Sequence, residues 1–263
     1  MGLDIKPVIV TALFDIGRDK WSNFTQSYGG YLDWMERTLS IEAPMVIFTE
    51  EKFKDRIEEM VSKYSHPYEI IVDTKEELLA TQLHSKKLWD VMESEEFKNK
   101  IHFDVPEMTQ PWYNIMMYNK MWWLLQASEK MEGTHYVWTD AACYREDIKD
   151  VNKPFPTERI GDNPIFFSHH QNISIENQDD HILSQMRFIQ GGSFIIPKEQ
   201  IEDLGIQIYK LIETFLDKGL VGSDEKYFDF LYLQNKEQIE IIQCGWREYI
   251  KKLQEYEKGV NNN

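Results

Sequence analysis

The chain has 263 residues, 42% of them hydrophobic and 13% aromatic, so it can bury a sizeable core, and its length fits one large domain better than two small ones. Its 29 Lys and Arg stand against 45 Asp and Glu, a net charge of −16, which argues against general binding of nucleic acid or docking on anionic lipid. No stretch approaches the ~18 apolar residues of a membrane span. Met1 to Lys6 does not read as a signal peptide, and two cysteines, Cys143 and Cys244, make neither a disulfide framework nor a zinc pair, so a cytoplasmic location, free or peripheral to the membrane, is expected. An anionic small molecule remains compatible if local cations or a metal offset the surrounding field.

Taken in chain order, the sequence alternates between two periods. Val8 to Phe14 is a continuous apolar, β-rich run of the kind a strand covered on both faces requires, and Pro44 to Thr49 and Tyr68 to Val72 repeat it. Helical stretches are expected between them: Phe24 to Ile41, Glu50 to Tyr64 with Thr49 as N-cap, and one opened by the capping box Thr74-Lys75-Glu76-Glu77. A long helix is expected from Pro111 to Gly133, with Met117, Met121, Leu124, Ser128 and Met131 on its core face.

His135 to Thr139 then reads as a fourth strand with Asp140 at its carboxyl end, where open α/β sheets place their ligands. Pro164 to Ser168 follows, and then Phe188-Ile189 and Ser193 to Ile196 as strands flanking Gly191-Gly192. Pro197 suits the first turn of a helix with an apolar stripe from Ile201 to Phe215, and a last helix starts at Ser223-Asp224-Glu225. Strand and helix alternation predicts an α/β class with a largely parallel central sheet flanked by helices, in one domain over 1–258 with a frayed tail at 259–263.

Asp140 closes the run "HYVWTD", and a carboxylate at the end of a buried strand is costly unless it is solvated, hydrogen-bonded or bound to a cation. It either holds a cation or caps the following turn. Asp15 and Arg18 in "FDIGRDK" suit a nucleotide, the first at its base or ribose and the second at its phosphates, or else an ordinary loop. Arg145 suits a phosphate or a local pair with Glu146 or Asp147.

The ordered set "VIVTALFDIGRDKW", "YNKMWWLLQASE", "YVWTDAACYRED", "IQGGSFIIPKEQI" and "SDEKYF" resembles the bacterial HtrL/YibB family, whose members are similar to nucleotide-sugar glycosyltransferases of the GT-A fold. The resemblance implies a single GT-A-like domain moving a sugar from a nucleotide-sugar donor, a UDP-sugar being favoured, to a glycan or lipid-linked hydroxyl acceptor in surface glycan or lipopolysaccharide synthesis. It places Thr11, Ala12, Asp15 and Arg18 in the nucleotide site, together with Lys120, Arg145, Gly191 and Gly192. Lys120 is either a phosphate contact or a solvated helix lysine. The two glycines either let backbone approach the sugar or make a tight turn.

Asp224 and Glu225 take the place of an acceptor-side general base, or simply of acidic residues in a first helical turn. The metal motif of the GT-A fold, Asp-any-Asp, corresponds to Trp138-Thr139-Asp140 and lacks its first aspartate, so the implied Mn²⁺ or Mg²⁺ rests on Asp140 alone. His169 or His170 completes that site or meets the acceptor. The alternative from another class is a non-catalytic nucleotide- or sugar-binding protein of the same fold.

Overall fold

The computed structural model describes residues 4–145 and 154–257. The expected partners of Arg145, Glu146 and Asp147, and the tail at 259–263 lie outside the described residues.

The four runs expected to be parallel do pair in one sheet. Strands β1 (Pro7–Leu13), β2 (Met45–Thr49), β3 (Tyr68–Val72) and β4 (His135–Thr139) are mutually parallel, with β1 between β2 and β4. Strands β5 (Ile165–Ser168), β6 (Ile189–Pro197) and β7 (Glu240–Gln243) complete the order β3-β2-β1-β4-β6-β5-β7. Only β6 runs against its neighbours; β7 is parallel to β5. The Gly191-Gly192 pair therefore does not separate two strands but lies inside β6, at the point where its register with β5 shifts between the Phe166–Phe194 and Ser168–Ile189 pairs, and leaves both positions without side chains.

Alternation along each strand divides the apolar residues between two cores. Val8, Val10, Phe48, Trp138 and Phe194 face one side, and Ile9, Ile47, Val137 and Ile195 face the other. The second side is covered by α1 (Tyr28–Leu39) and α2 (Glu51–Val61), with Met35, Leu39, Phe53 and Ile57 among its core residues. The first carries α3 (Leu79–Glu93), α4 (Glu95–Lys100), α5 (Pro106–Thr109), α6 (Pro111–Tyr118) and α7 (Lys120–Lys130). After β4, the chain adds α8 (Gln178–Leu183), α9 (Ile201–Asp217), α10 (Asp224–Gln234) and α11 (Tyr249–Glu257).

Several boundaries move for local physical reasons. Helix α1 starts at Tyr28 rather than Phe24 because Phe24 adopts φ 58°, while Ser27 caps the first turn by accepting from the Gly30 N–H at 3.1 Å. Thr49 caps no helix: it ends β2 and donates its hydroxyl to Leu13 O at 2.9 Å. Thr74 and Glu77 form a closed turn, their side chains 2.7 Å apart, and α3 begins only after the fully buried Leu78.

The cap of α3 comes from far along the chain, as Asn119 Oδ1 accepts from the Ala80 N–H at 3.1 Å. Asn119 also divides the expected long helix into α6 and α7, and its residue accordingly has φ −83° and ψ −7°. A short 3₁₀ turn, Lys198–Gln200, stands between Pro197 and α9. The helix at Asp224 is not the last element, since β7 and α11 follow it.

Candidate functional site

A cleft opens at the carboxyl ends of β1 and β4. The middle of β6, the start of α10 and the junction of α6 with α7 close its floor and sides. The lining carries five cations, Arg18, Lys120, Arg145, Arg187 and Arg247, and three carboxylates, Asp140, Asp224 and Glu225. Five minus three leaves an excess of two positive charges in a chain of net charge −16.

Asp140 extends the β4 ladder, its N–H donating to Gly192 O at 2.9 Å. Trp138 lies flat against Trp123, 5.5 Å between centroids, and its indole N–H donates to Asp140 Oδ1 at 2.7 Å. The same oxygen is 3.2 Å from Lys120 Nζ. That ammonium, only 1% exposed, also donates to Asp224 Oδ2 at 2.7 Å and to Gly191 O at 2.8 Å. Burial works against its charge, but Asp140 and Asp224 outweigh it and hold the lysine protonated. Burial raises the Asp224 carboxyl in turn, with Lys120 opposing.

Lys120 is thus neither solvated nor available to a phosphate, because its three donors already meet three acceptors. Gly191 lines the cleft, and a Cβ there would stand 2.5 Å from Asp224 Oδ2, so the glycine also makes room for the ion pair. At Gly192 a Cβ would have Asp140 Oδ2 at 3.7 Å and Trp246 at 3.8 Å, ordinary contacts at the cleft wall.

Glu225 lies beside this pair. Its Oε1 accepts from the Gly191 N–H at 3.2 Å, and its Oε2 is 3.1 Å from Arg187 Nη1. Burial, reinforced by the charge of Asp224, pushes the Glu225 carboxyl up to about 7 against the pull of Arg187. Arg187 is shared with Glu107, 2.7 Å away. The Tyr113 hydroxyl, also in the lining, is raised by burial and by the surrounding carboxylates Glu107, Asp224, Glu225 and Asp140.

Three arginines of the lining stand near one another. Arg18 lies over the rings of Trp21 and Tyr31, with its Nε–H donating to Phe24 O at 3.2 Å. The guanidinium of Arg145 covers Trp34 at 4.4 Å. Burial and then the nearby charges of Arg247 and Arg18 depress the Arg145 pKa, the mark of three cations gathered together. Arg247 adopts φ 68°, and its buried Nε has no hydrogen-bond partner among the described residues.

Two residues expected at the nucleotide do not reach the cleft. Thr11 is fully buried and points to the sheet face opposite Ala12, which does line the cleft; strand alternation separates them. Asp15 turns back on its own loop, accepting from the Gly17 N–H at 2.7 Å and pairing with Lys52. Burial alone would raise its carboxyl, but these hydrogen bonds lower it to about 2. His169 stacks on Trp246 and His170 meets the edge of Phe188, and both line a second cavity that shares Arg187 and Trp246 with the main cleft.

The residues around Asp140 do not fit a divalent ion. Such an ion at a phosphate site is held by one or two free carboxylates together with substrate phosphates and waters. Here Asp140 Oδ1 and Asp224 Oδ2 already share a lysine, and among the described residues no three His, Cys, Asp or Glu side chains converge as ligands. Arg187, Arg247, Trp246 and Tyr113 escaped the sequence reading. Arg187 just precedes the run Phe188-Ile189, and Gly245-Trp246-Arg247 pairs an aromatic with a base after an apolar segment, the faint signals available for them.

Two solved structures are similar to this chain. Mouse xyloside xylosyltransferase 1, apo form, is 12% identical with a TM-score of 0.47, covering 96% of this chain and 93% of that one. The 4-diphosphocytidyl-2C-methyl-D-erythritolsynthase from Anaerococcus prevotii DSM 20548 is 10% identical with a TM-score of 0.44, covering 97% and 96%. Protein HtrL of Escherichia coli (strain K12) is 21% identical over 257 residues, 90% of this chain and 87% of that protein. The family described as "Bacterial protein of unknown function (HtrL_YibB)" matches residues 6–254, nearly the full length, and the chain belongs to that family.

Proposed function

We propose that the cleft binds a nucleotide-sugar, a UDP-sugar being favoured, and transfers its sugar to a hydroxyl of a glycan or lipid-linked acceptor. The observation that carries this reading is the excess of cations in the cleft of an otherwise acidic protein, since such a field selects an anionic ligand. Arg18, Arg145 and Arg247 supply the wall for the diphosphate, because guanidinium forks match phosphate oxygens. Glu225 supplies a carboxylate that ionises near neutrality, as a general base requires.

In the transfer, the bond between the anomeric carbon and the diphosphate oxygen breaks, and its electron pair leaves with the nucleoside diphosphate. The acceptor oxygen forms the new bond to that carbon, and its proton passes to Glu225. The arginines offset the charge that develops on the leaving group.

Calorimetric titration tests the assignment. Arg18→Ala and Arg145→Ala should weaken uridine diphosphate by about tenfold or more while leaving uridine nearly unchanged, a difference of about 1.4 kcal/mol. Equal losses for both ligands would remove the phosphate assignment. Release of uridine diphosphate from a UDP-sugar separates a transferase from a protein that only binds.

A further inference from the structure

We propose that the Lys120 ammonium is the resident cation of this site, standing where a divalent ion would join two carboxylates, and that a nucleoside diphosphate binds without metal through Arg18, Arg145 and Arg247. The proposal rests on the reading of the cleft as a nucleotide-sugar site and adds how that site handles charge.

The first support is geometric. Lys120 Nζ lies within 3.2 Å of oxygens from Asp140 and Asp224, residues on two different elements, and within 2.8 Å of Gly191 O. A tetrahedral ammonium has three donors, and all three are used. A second cation bound to those carboxylates would sit beside a buried positive charge and compete for the same oxygens. The site is also shaped around the lysine, since a side chain at Gly191 would collide with the Asp224 oxygen that meets it.

The second support lies in the arginines of the lining. Arg247 keeps a left-handed backbone, φ 68°, that residues with side chains rarely adopt, and its buried Nε–H has no acceptor among the described residues. That backbone carries the Arg247 side chain to the lining of the cleft. Arg18 and Arg145 line the same cleft. Neutralising the diphosphate thus falls to guanidinium groups, and orienting the carboxylates falls to Lys120, which acts as a positioning residue.

The experiment uses the whole chain and two readouts. Uridine diphosphate is titrated calorimetrically in EDTA and in MnCl₂, and thermal unfolding is followed with Mn²⁺ alone for the wild type and Lys120→Met. The expected wild-type result is one dissociation constant, the same within about twofold in both buffers, and no Mn²⁺ shift in unfolding temperature. Removing the lysine vacates the ion's place, so Lys120→Met should be stabilised by Mn²⁺, an effect that a purely structural lysine would not reveal. Binding that needs Mn²⁺ in the wild type, or a folded Lys120→Met that gains nothing from Mn²⁺, overturns the proposal and leaves the nucleotide-sugar reading standing. Absence of uridine diphosphate binding in both buffers overturns both. Should the variant fail to fold, the wild-type titration decides.

Discussion

Lys120 Nζ lies 2.7 Å from Asp224 Oδ2, joining the first residue of α7 to the first residue of α10. This contact fixes the two helix starts around the strand residue Gly191, and removing one partner leaves buried carboxylates uncompensated. Lys120→Met should therefore cost ~3–5 kcal/mol in urea denaturation. The double variant Lys120→Met with Asp224→Asn should be more stable than the single one, because it no longer buries the Asp224 charge.

The neighbouring glycines should respond differently to the same substitution. Gly191→Ala drives a methyl group to 2.5 Å from Asp224 Oδ2, and ~1–3 kcal/mol of stability should be lost as the ion pair shifts. Gly192→Ala meets Asp140 at an ordinary 3.7 Å, so its unfolding free energy should stay within ~0.5 kcal/mol of the wild type. Parallel denaturation curves of the two variants give the comparison.

Glu225 sets two pH dependences of opposite consequence. The folded protein holds the carboxyl proton up to about 7, whereas the unfolded chain releases it near the ordinary 4.5. Between those values the folded state binds more protons, so this group's contribution to stability is complete below pH 4.5 and is lost as pH rises towards 7. Glu225→Gln should flatten that slope in pH-dependent denaturation. Sugar transfer needs the ionised form, so wild-type turnover should rise with pH through about 7, and Glu225→Gln should lower it ~10²–10⁴-fold.

Asp229 anchors the strand that carries the glycines. Its Oδ1 accepts from the Ile189 N–H at 2.9 Å, and its Oδ2 accepts from the Phe188 N–H at 3.4 Å and stands 2.9 Å from His181 Nε2. Asp229→Ala leaves these buried groups without their acceptor and should destabilise the fold by at least ~3 kcal/mol. Asp229→Asn keeps one acceptor oxygen and should cost less, and urea titration of both variants orders them.

The sequence by itself determined the elements whose burial is a matter of period. Strands β1, β2 and β4 were legible because a strand covered on both faces must be apolar throughout, the half-buried edge strand β3 was legible from its β-branched run Ile70-Ile71-Val72, and their parallel pairing follows from the helices between them. Asp140 was legible because it ends such a run. Tertiary structure decided what each charge meets. Lys120 has the composition of a solvated or phosphate-binding lysine, yet it is enclosed by residues 20, 71 and 104 positions away. Asp15 stands at the right strand end but finds Lys52 and its own loop amide first. Arg187 and Arg247 have no periodic signal at all, since loop residues enter a cleft through the path of the backbone rather than through local pattern. Hydrophobic periodicity is a local property and survives in the order of residues, whereas a charged cluster exists only after distant segments have been brought within a few ångströms, where burial and Coulomb interaction decide which groups pair.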